Sequence, residues 1–136
     1  MSSERLVLTI PTTPSKYLRP NVKSHWAIKA RDAKKLKEIA YLSAREQIHA
    51  SPEASELASW LRRSKRIAYT VEVSWEPGRR GTSDEDNTLA SLKSALDGIA
   101  QALGRDDRCF TIRGVAHEKS QRLGITIITL WDAAAE

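Results

Sequence analysis

The sequence predicts an α+β fold: one domain over residues 1–136, with a mixed sheet of about four strands and helices packed on it. Three observations predict it. Short runs rich in β-branched or alternating apolar residues occur near both ends and in the middle of the chain. Between them, long segments repeat their apolar residues at steps of three and four. No internal repeat, low-complexity tract or linker divides the 136 residues, a length that suits a single core without disulfides or a structural metal.

The elements follow in the order β-α-(α)-β-α-β-β. Leu6-Val7-Leu8-Thr9-Ile10 reads as a strand stopped by Pro11. Pro11 to Asn21, with Pro14 and Pro20, reads as an extended loop. From about Ser24 the period lengthens: Trp26, Ala30, Ala33, Leu36, Ala40, Ala44 and Ile48 form one face of a helix ending near His49. Ser51 then caps a short helix with Pro52 in its first turn and Leu57, Trp60 and Leu61 as its apolar positions. Ile67, Tyr69, Val71, Val73 and Trp75 alternate with Ala68, Thr70, Glu72 and Ser74, which predicts a strand with one buried face, broken by Pro77-Gly78. A helix is expected from about Asn87, striped by Leu89, Leu92, Leu96, Ile99 and Leu103 and ended by Gly104. Cys109–Ala116 and Gly124–Trp131 read as two closing strands joined by a polar turn around Glu118–Arg122, with Cys109 as buried filler at the start of the first.

The chain is basic, with a net charge of +5 and a pI of about 9.6. From Lys16 to Lys37, eight cations (Lys16, Arg19, Lys23, Lys29, Arg31, Lys34, Lys35, Lys37) stand against the single acid Asp32. Arg62, Arg63, Lys65 and Arg66 form a second cluster, and Arg79-Arg80 a third. Such clusters supply the salt-sensitive, sequence-independent part of nucleic-acid binding; a solvated basic surface is the plainer reading. The single Cys109 excludes a disulfide framework and any multi-cysteine zinc site, and fits a reducing compartment. No signal pattern opens the chain and no apolar run approaches the ~20 residues of a membrane span, so a soluble cytoplasmic protein without a membrane partner is expected.

Against that basic background the acids concentrate in Asp84-Glu85-Asp86-Asn87 and Asp106-Asp107, with Lys93 between them. Carboxylates are the hard oxygen ligands that Mg²⁺ or Mn²⁺ prefers. Asp84 and Asp86, at i and i+2, point the same way if the backbone there stays extended. Lys93, seven residues beyond Asp86, falls two helical turns on, on roughly the same face, and also at i−4 to Asp97 as for a surface ion pair. Asp107 joins the pair only if the intervening helix folds back along the strand. Spacing alone favours plainer roles: a helix cap at Ser83 or Asp86, and a polar turn at Asp106-Asp107.

Asp84-Glu85-Asp86-Asn87, Leu92-Lys93, Leu96-Asp97-Gly98 and Asp106-Asp107, in this order, resemble the signature of the RusA family of Holliday-junction resolvases. Ile10-Pro11, Pro14-Ser15, Arg19-Pro20-Asn21 and His25-Trp26 are similar to a recurring pattern of its phage and prophage members, so the resemblance spans nearly the whole chain. The lysine stands seven residues after the second aspartate rather than four, close to one extra helical turn. The resemblance implies a homodimeric, Mg²⁺-dependent endodeoxyribonuclease (with Mn²⁺ as substitute) that cuts four-way DNA junctions by paired nicks in recombination and repair, in a bacterial cytosol and in a host or phage setting. It implies Asp84, Asp86 and Asp107 as metal-binding catalytic residues, Lys93 as the catalytic lysine, and Asp106 as a further candidate ligand. Lys16, Arg19, Lys23, His25, Lys29, Arg79 and Arg80 are the DNA-contact candidates; Trp26, on the apolar stripe, is expected in the core. The rival readings are a basic nucleic-acid-binding module without catalysis and a related nuclease that prefers flaps or forks.

Overall fold

The computed structural model describes residues 4–18, 25–77, 85–119 and 124–136, with the backbone alone described at 16, 85–87 and 119. Four strands, β1 (Leu6–Ile10), β2 (Ile67–Trp75), β3 (Phe110–Lys119) and β4 (Ile125–Asp132), form one sheet in the order β1-β4-β2-β3. β4 is antiparallel to both β1 and β2, while β3 is parallel to β2. The helices are α1 (Trp26–Ile48), α2 (Pro52–Arg63), α3 (Glu85–Ser91) and α4 (Lys93–Leu103). The expected mixed α+β fold is therefore the observed one.

Strand periodicity explains which sheet face meets the helices. The register aligns Leu6, Leu130, Tyr69 and Ile112 in one row, and Leu8, Ile128, Val71 and Val115 in the next. Residues two apart share a face, so these rows form a continuous apolar floor. Leu36, Ala40, Ala44 and Ile48 of α1, Ala58 and Leu61 of α2, and Ala95, Ile99 and Leu103 of α4 close over it. β2 also buries Ala68 and Ser74 on its second face, so its burial is wider than simple alternation predicts.

Small residues let α1 and α4 approach closely. A Cβ on Gly98 would lie 3.0 Å from Tyr41 N and 3.3 Å from Ala40 Cβ, and closer still to Lys37 O. Two arginines latch the neighbouring helix ends. Arg62 Nε donates to Leu103 O at 2.6 Å, beside the C-terminus of α4. Arg105 Nη1 donates to Leu61 O (3.0 Å), Arg62 O (3.2 Å) and Ser64 O at the C-terminus of α2. Each guanidinium thus satisfies carbonyls that a helix end leaves orphaned. Arg62, part of a sequence cluster suggestive of polyanion binding, serves a structural purpose. On the edge strand, Gln47 occupies Thr9 as another strand would: Thr9 N donates to Gln47 Oε1 and Gln47 Nε2 donates to Thr9 O, both at 2.8 Å.

Several expectations are corrected. β3 and β4 do not pair as neighbours; β2 lies between them. A short polar connection resembles a hairpin turn in sequence, but β2 has two free edges and both strands take one. The helix expected from Asn87 is two helices divided at Leu92, whose φ and ψ of −97° and 1° interrupt the α geometry. The loop after Pro11 contains a 3₁₀ turn at Lys16–Leu18. Trp26 is 75% exposed rather than in the core, because the buried stripe of α1 begins only at Leu36. Cys109 sits half-buried in a 3₁₀ turn (Asp107–Cys109) ahead of β3, its Sγ donating to Asp106 O at 2.9 Å.

Candidate acidic site between the basic helix and the returning helix

α4 ends where a glycine must be. Gly104 takes φ +77°, and the N–H of Arg105 reaches back to Ala100 O at 2.9 Å while that of Gly104 reaches Gln101 O at 3.2 Å. This left-handed cap turns the chain back along α4. Asp107 is thereby carried to the same depression as Asp97, near enough for the Asp97 carboxylate to act on its ionisation. Lys37 of α1, Ala100, Gln101, Arg105 and Asp106 complete the lining of an open depression of about 380 Å³. The carboxylates and the basic helix therefore share one surface.

The two neighbouring aspartates differ in electrostatics. Asp97, then Asp106 and partial burial, raise the pKa of Asp107, since adjacent carboxylates resist ionising together. Tyr69 is raised as well, first by burial and then by the charge of Asp107. Asp106 goes the other way, to about 2, because the Arg108 side chain and backbone N–H both donate to it. Arg108 Nε and Nη2 reach Asp106 Oδ2 at 3.1 and 2.8 Å, and Arg108 N reaches Oδ1 at 3.0 Å. Asp106 is thus the cap of the turn, with its oxygens engaged, while Asp107 is the carboxylate directed at Asp97.

The other predicted residues divide as follows. Lys93 is exposed as the first residue of α4, one turn before Asp97. The ion pairs among the described residues are Arg31–Asp32, Arg108–Asp106 and Arg113–Glu136, so Lys93–Asp97 is not one of them. His25 caps α1, its Nδ1 accepting from Ala27 N at 3.2 Å, and Lys29 follows one turn later. Asp84, Arg19, Lys23, Arg79, Arg80 and the capping candidate Ser83 lie outside the described residues, as do the side chains of Lys16 and Asp86. The backbone at Asp86 is already helical, so the extended i, i+2 geometry does not hold there.

α3 and α4 do fold back along β2, but they carry Asp107 to the strand's other end. Thr88, in α3, approaches His117 Nε2 at 3.4 Å, and His117 pairs with Val73 near the end of β2. Asp107 precedes Phe110, which pairs with Ile67 at the start of β2. Six strand steps separate these positions, about 20 Å at ~3.3 Å per residue. Among the described residues no group of three or more His, Cys, Asp or Glu side chains is arranged to hold a metal.

Asp97 is the member of the site that sequence reasoning passed over as a ligand. The signal was present in Leu96-Asp97-Gly98: the glycine marks where α4 touches α1, so its neighbour must stand at the edge of that contact. His117 is a second residue that no sequence motif singled out. Its Nδ1 accepts from Trp75 Nε1 at 3.3 Å, with the rings stacked 6.3 Å apart, tying the end of β3 to α3 through Thr88.

No family model matches the chain. It is similar to an uncharacterized protein of Xylella fastidiosa (strain Temecula1), 33% identical over 125 residues that cover 90% of this chain and 74% of the relative. No helix among the described residues is long and apolar enough to cross a membrane.

Proposed function

We propose that this chain, which belongs to the same family as that Xylella fastidiosa protein, is a divalent-metal-dependent, structure-selective endodeoxyribonuclease that acts on four-way DNA junctions as a homodimer. One observation carries the reading: Asp97 and Asp107 line one depression together with Lys37 of the basic helix. Hard anionic oxygens lie where a polyanion bound along α1 would meet them.

The donor set suits Mg²⁺, with Mn²⁺ as a substitute. A divalent cation relieves the mutual repulsion of neighbouring carboxylates, and Mg²⁺ is commonly held by one or two carboxylates, several waters and substrate phosphate. Asp107 and Asp97 would hold it, and the Asp84 and Asp86 that the RusA-like signature adds would have to come from the second copy of a dimer, since the first turn of α3 lies at the other end of β2 from Asp107. The bound ion supplies charge neutralisation at the scissile phosphate and a water of lowered pKa. Lys37 of α1 and Lys93, one turn before Asp97 on α4, would offset phosphate charge. Arg108 keeps Asp106 out of the ligand set and so fixes the turn that aims Asp107.

The test is cleavage of a synthetic four-way junction with Mg²⁺, against flap, fork and duplex controls. Nicks at symmetric positions are expected, abolished by Asp107→Asn and by Asp84→Asn with DNA binding retained. If both variants cut as well as the wild type, the metal assignment fails. Tight binding without cleavage under any divalent ion would instead identify a non-catalytic DNA-binding module.

A further inference from the structure

We propose that Trp26, backed by His25, is a stacking platform for unpaired bases of DNA; the proposal rests on the DNA-processing reading above. Trp26 is the most exposed large apolar side chain among the described residues, at 75%. Burying an indole is worth far more than exposing it, so this placement runs against the folding interest of the chain. The His25 ring stacks on it, centroids 5.7 Å apart and planes 29° from parallel. The bond from Ala27 N to His25 Nδ1 fixes that imidazole to the helix backbone. The indole is therefore held by a braced neighbour.

Charge identifies the partner. The first half of α1 carries Lys29, Arg31, Lys34, Lys35 and Lys37, and no acid in its first turn. Its one acid, Asp32, accepts from Ser15 Oγ at 2.7 Å and Arg31 Nε at 3.2 Å, and its pKa is lowered by the Ser15 bond first and by Arg31 as well. A flat aromatic face beside a cationic helix fits a polyanion that presents flat apolar faces. Unpaired nucleotides have both, whereas paired bases keep their faces inside the duplex. A lipid surface fits less well, because it needs an apolar stripe. The next exposed large apolar residue on α1 is Leu42, sixteen positions on, or about 24 Å along the helix.

The experiment measures anisotropy of labelled single-stranded, blunt duplex and four-way junction DNA with the full chain, Trp26→Ala and Trp26→Phe. The expected result is a loss of about tenfold or more in single-strand affinity for Trp26→Ala, from the usual worth of a stacked base. Duplex affinity should change less than about twofold, and Trp26→Phe should recover most of the loss. The salt dependence should stay the same, since no charge is removed. Equal weakening on single strand and duplex, or none on either, overturns the platform. So does loss of sedimentation with phosphatidylserine vesicles in Trp26→Ala alone, which would assign the residue to a membrane surface. Failure of the wild type to bind any DNA overturns the nuclease reading as well. Wild-type junction cleavage with unchanged single-strand affinity in Trp26→Ala overturns the platform alone.

Discussion

Replacing Gly98 by alanine adds one carbon where the structure has no room for it. Ordinary contacts between such atoms are 3.4 Å or more, but the new Cβ would meet Tyr41 N at 3.0 Å and Ala40 Cβ at 3.3 Å, with Lys37 O nearer still. Two of those atoms are backbone, so no rotamer change relieves the contact, and α1 and α4 must separate by several tenths of an ångström. Overpacking a close-packed core costs about 1–3 kcal/mol, and a backbone-to-backbone clash belongs at the upper end. Alanine's better helix propensity returns about 1 kcal/mol. The net expected loss is about 2 kcal/mol. With an unfolding entropy of ~2.1 cal/mol/K per residue, this lowers the Tm of a chain of this length by roughly 7 °C. Thermal and urea unfolding followed by circular dichroism measure it. A Gly98→Ala protein as stable as the wild type, or more so, would mean that α1 and α4 are not in backbone contact, and the placement of Lys37 beside Asp97 and Asp107 would fall with it.

Three further outcomes are expected. Because Asp107 has a raised pKa, the stability it contributes is fully present below the usual carboxylate range and is lost as pH rises through its own pKa. In metal-free buffer, Asp107→Asn should therefore unfold at a higher temperature than the wild type at neutral pH, and Mg²⁺ should raise the wild-type Tm more than the mutant's; scans with and without the ion check both. Arg105→Ala should cost about 1–3 kcal/mol by stripping the carbonyls at the end of α2, and Arg105→Lys should restore only part, as the shorter lysine side chain does not carry its nitrogen to the place where Nη1 meets all three carbonyls. Finally, the ~20 Å between the first turn of α3 and Asp107 is too long for one metal to join them within a chain. Mixed dimers of Asp86→Asn and Asp107→Asn chains should therefore retain one working site and nick a junction on one strand; inactive mixed dimers would show that both residues act within one chain.

The sequence made some of this legible for identifiable reasons. Leu36, Ala40, Ala44 and Ile48 were readable because a helix buries one face, and Gly104 because it alone ends α4 without strain. Trp26 misled because periodicity marks the face of a helix but not the length over which that face is covered. The order of the sheet was not readable, since two strands consecutive in sequence carry no signal of whether they pair with each other or each with a third. The direction of the fold-back was sound, yet the register sends Asp107 toward Ile67 rather than toward the residues after Trp75. What brings Asp107 to Asp97 is a turn of one glycine and two backbone hydrogen bonds, which spacing alone does not encode.

The crossed arginines have one more consequence. Arg62 holds the end of α4 and Arg105 holds the end of α2, so neither helix can fray at its C-terminus without releasing the other. Local opening there is a shared event, and amide protons in the last turns of α2 and α4 should exchange with solvent at one common rate. The turn bearing Asp106 and Asp107 hangs from this joint. Its carboxylates inherit the slow opening of two helices in place of the fast motion of a surface loop.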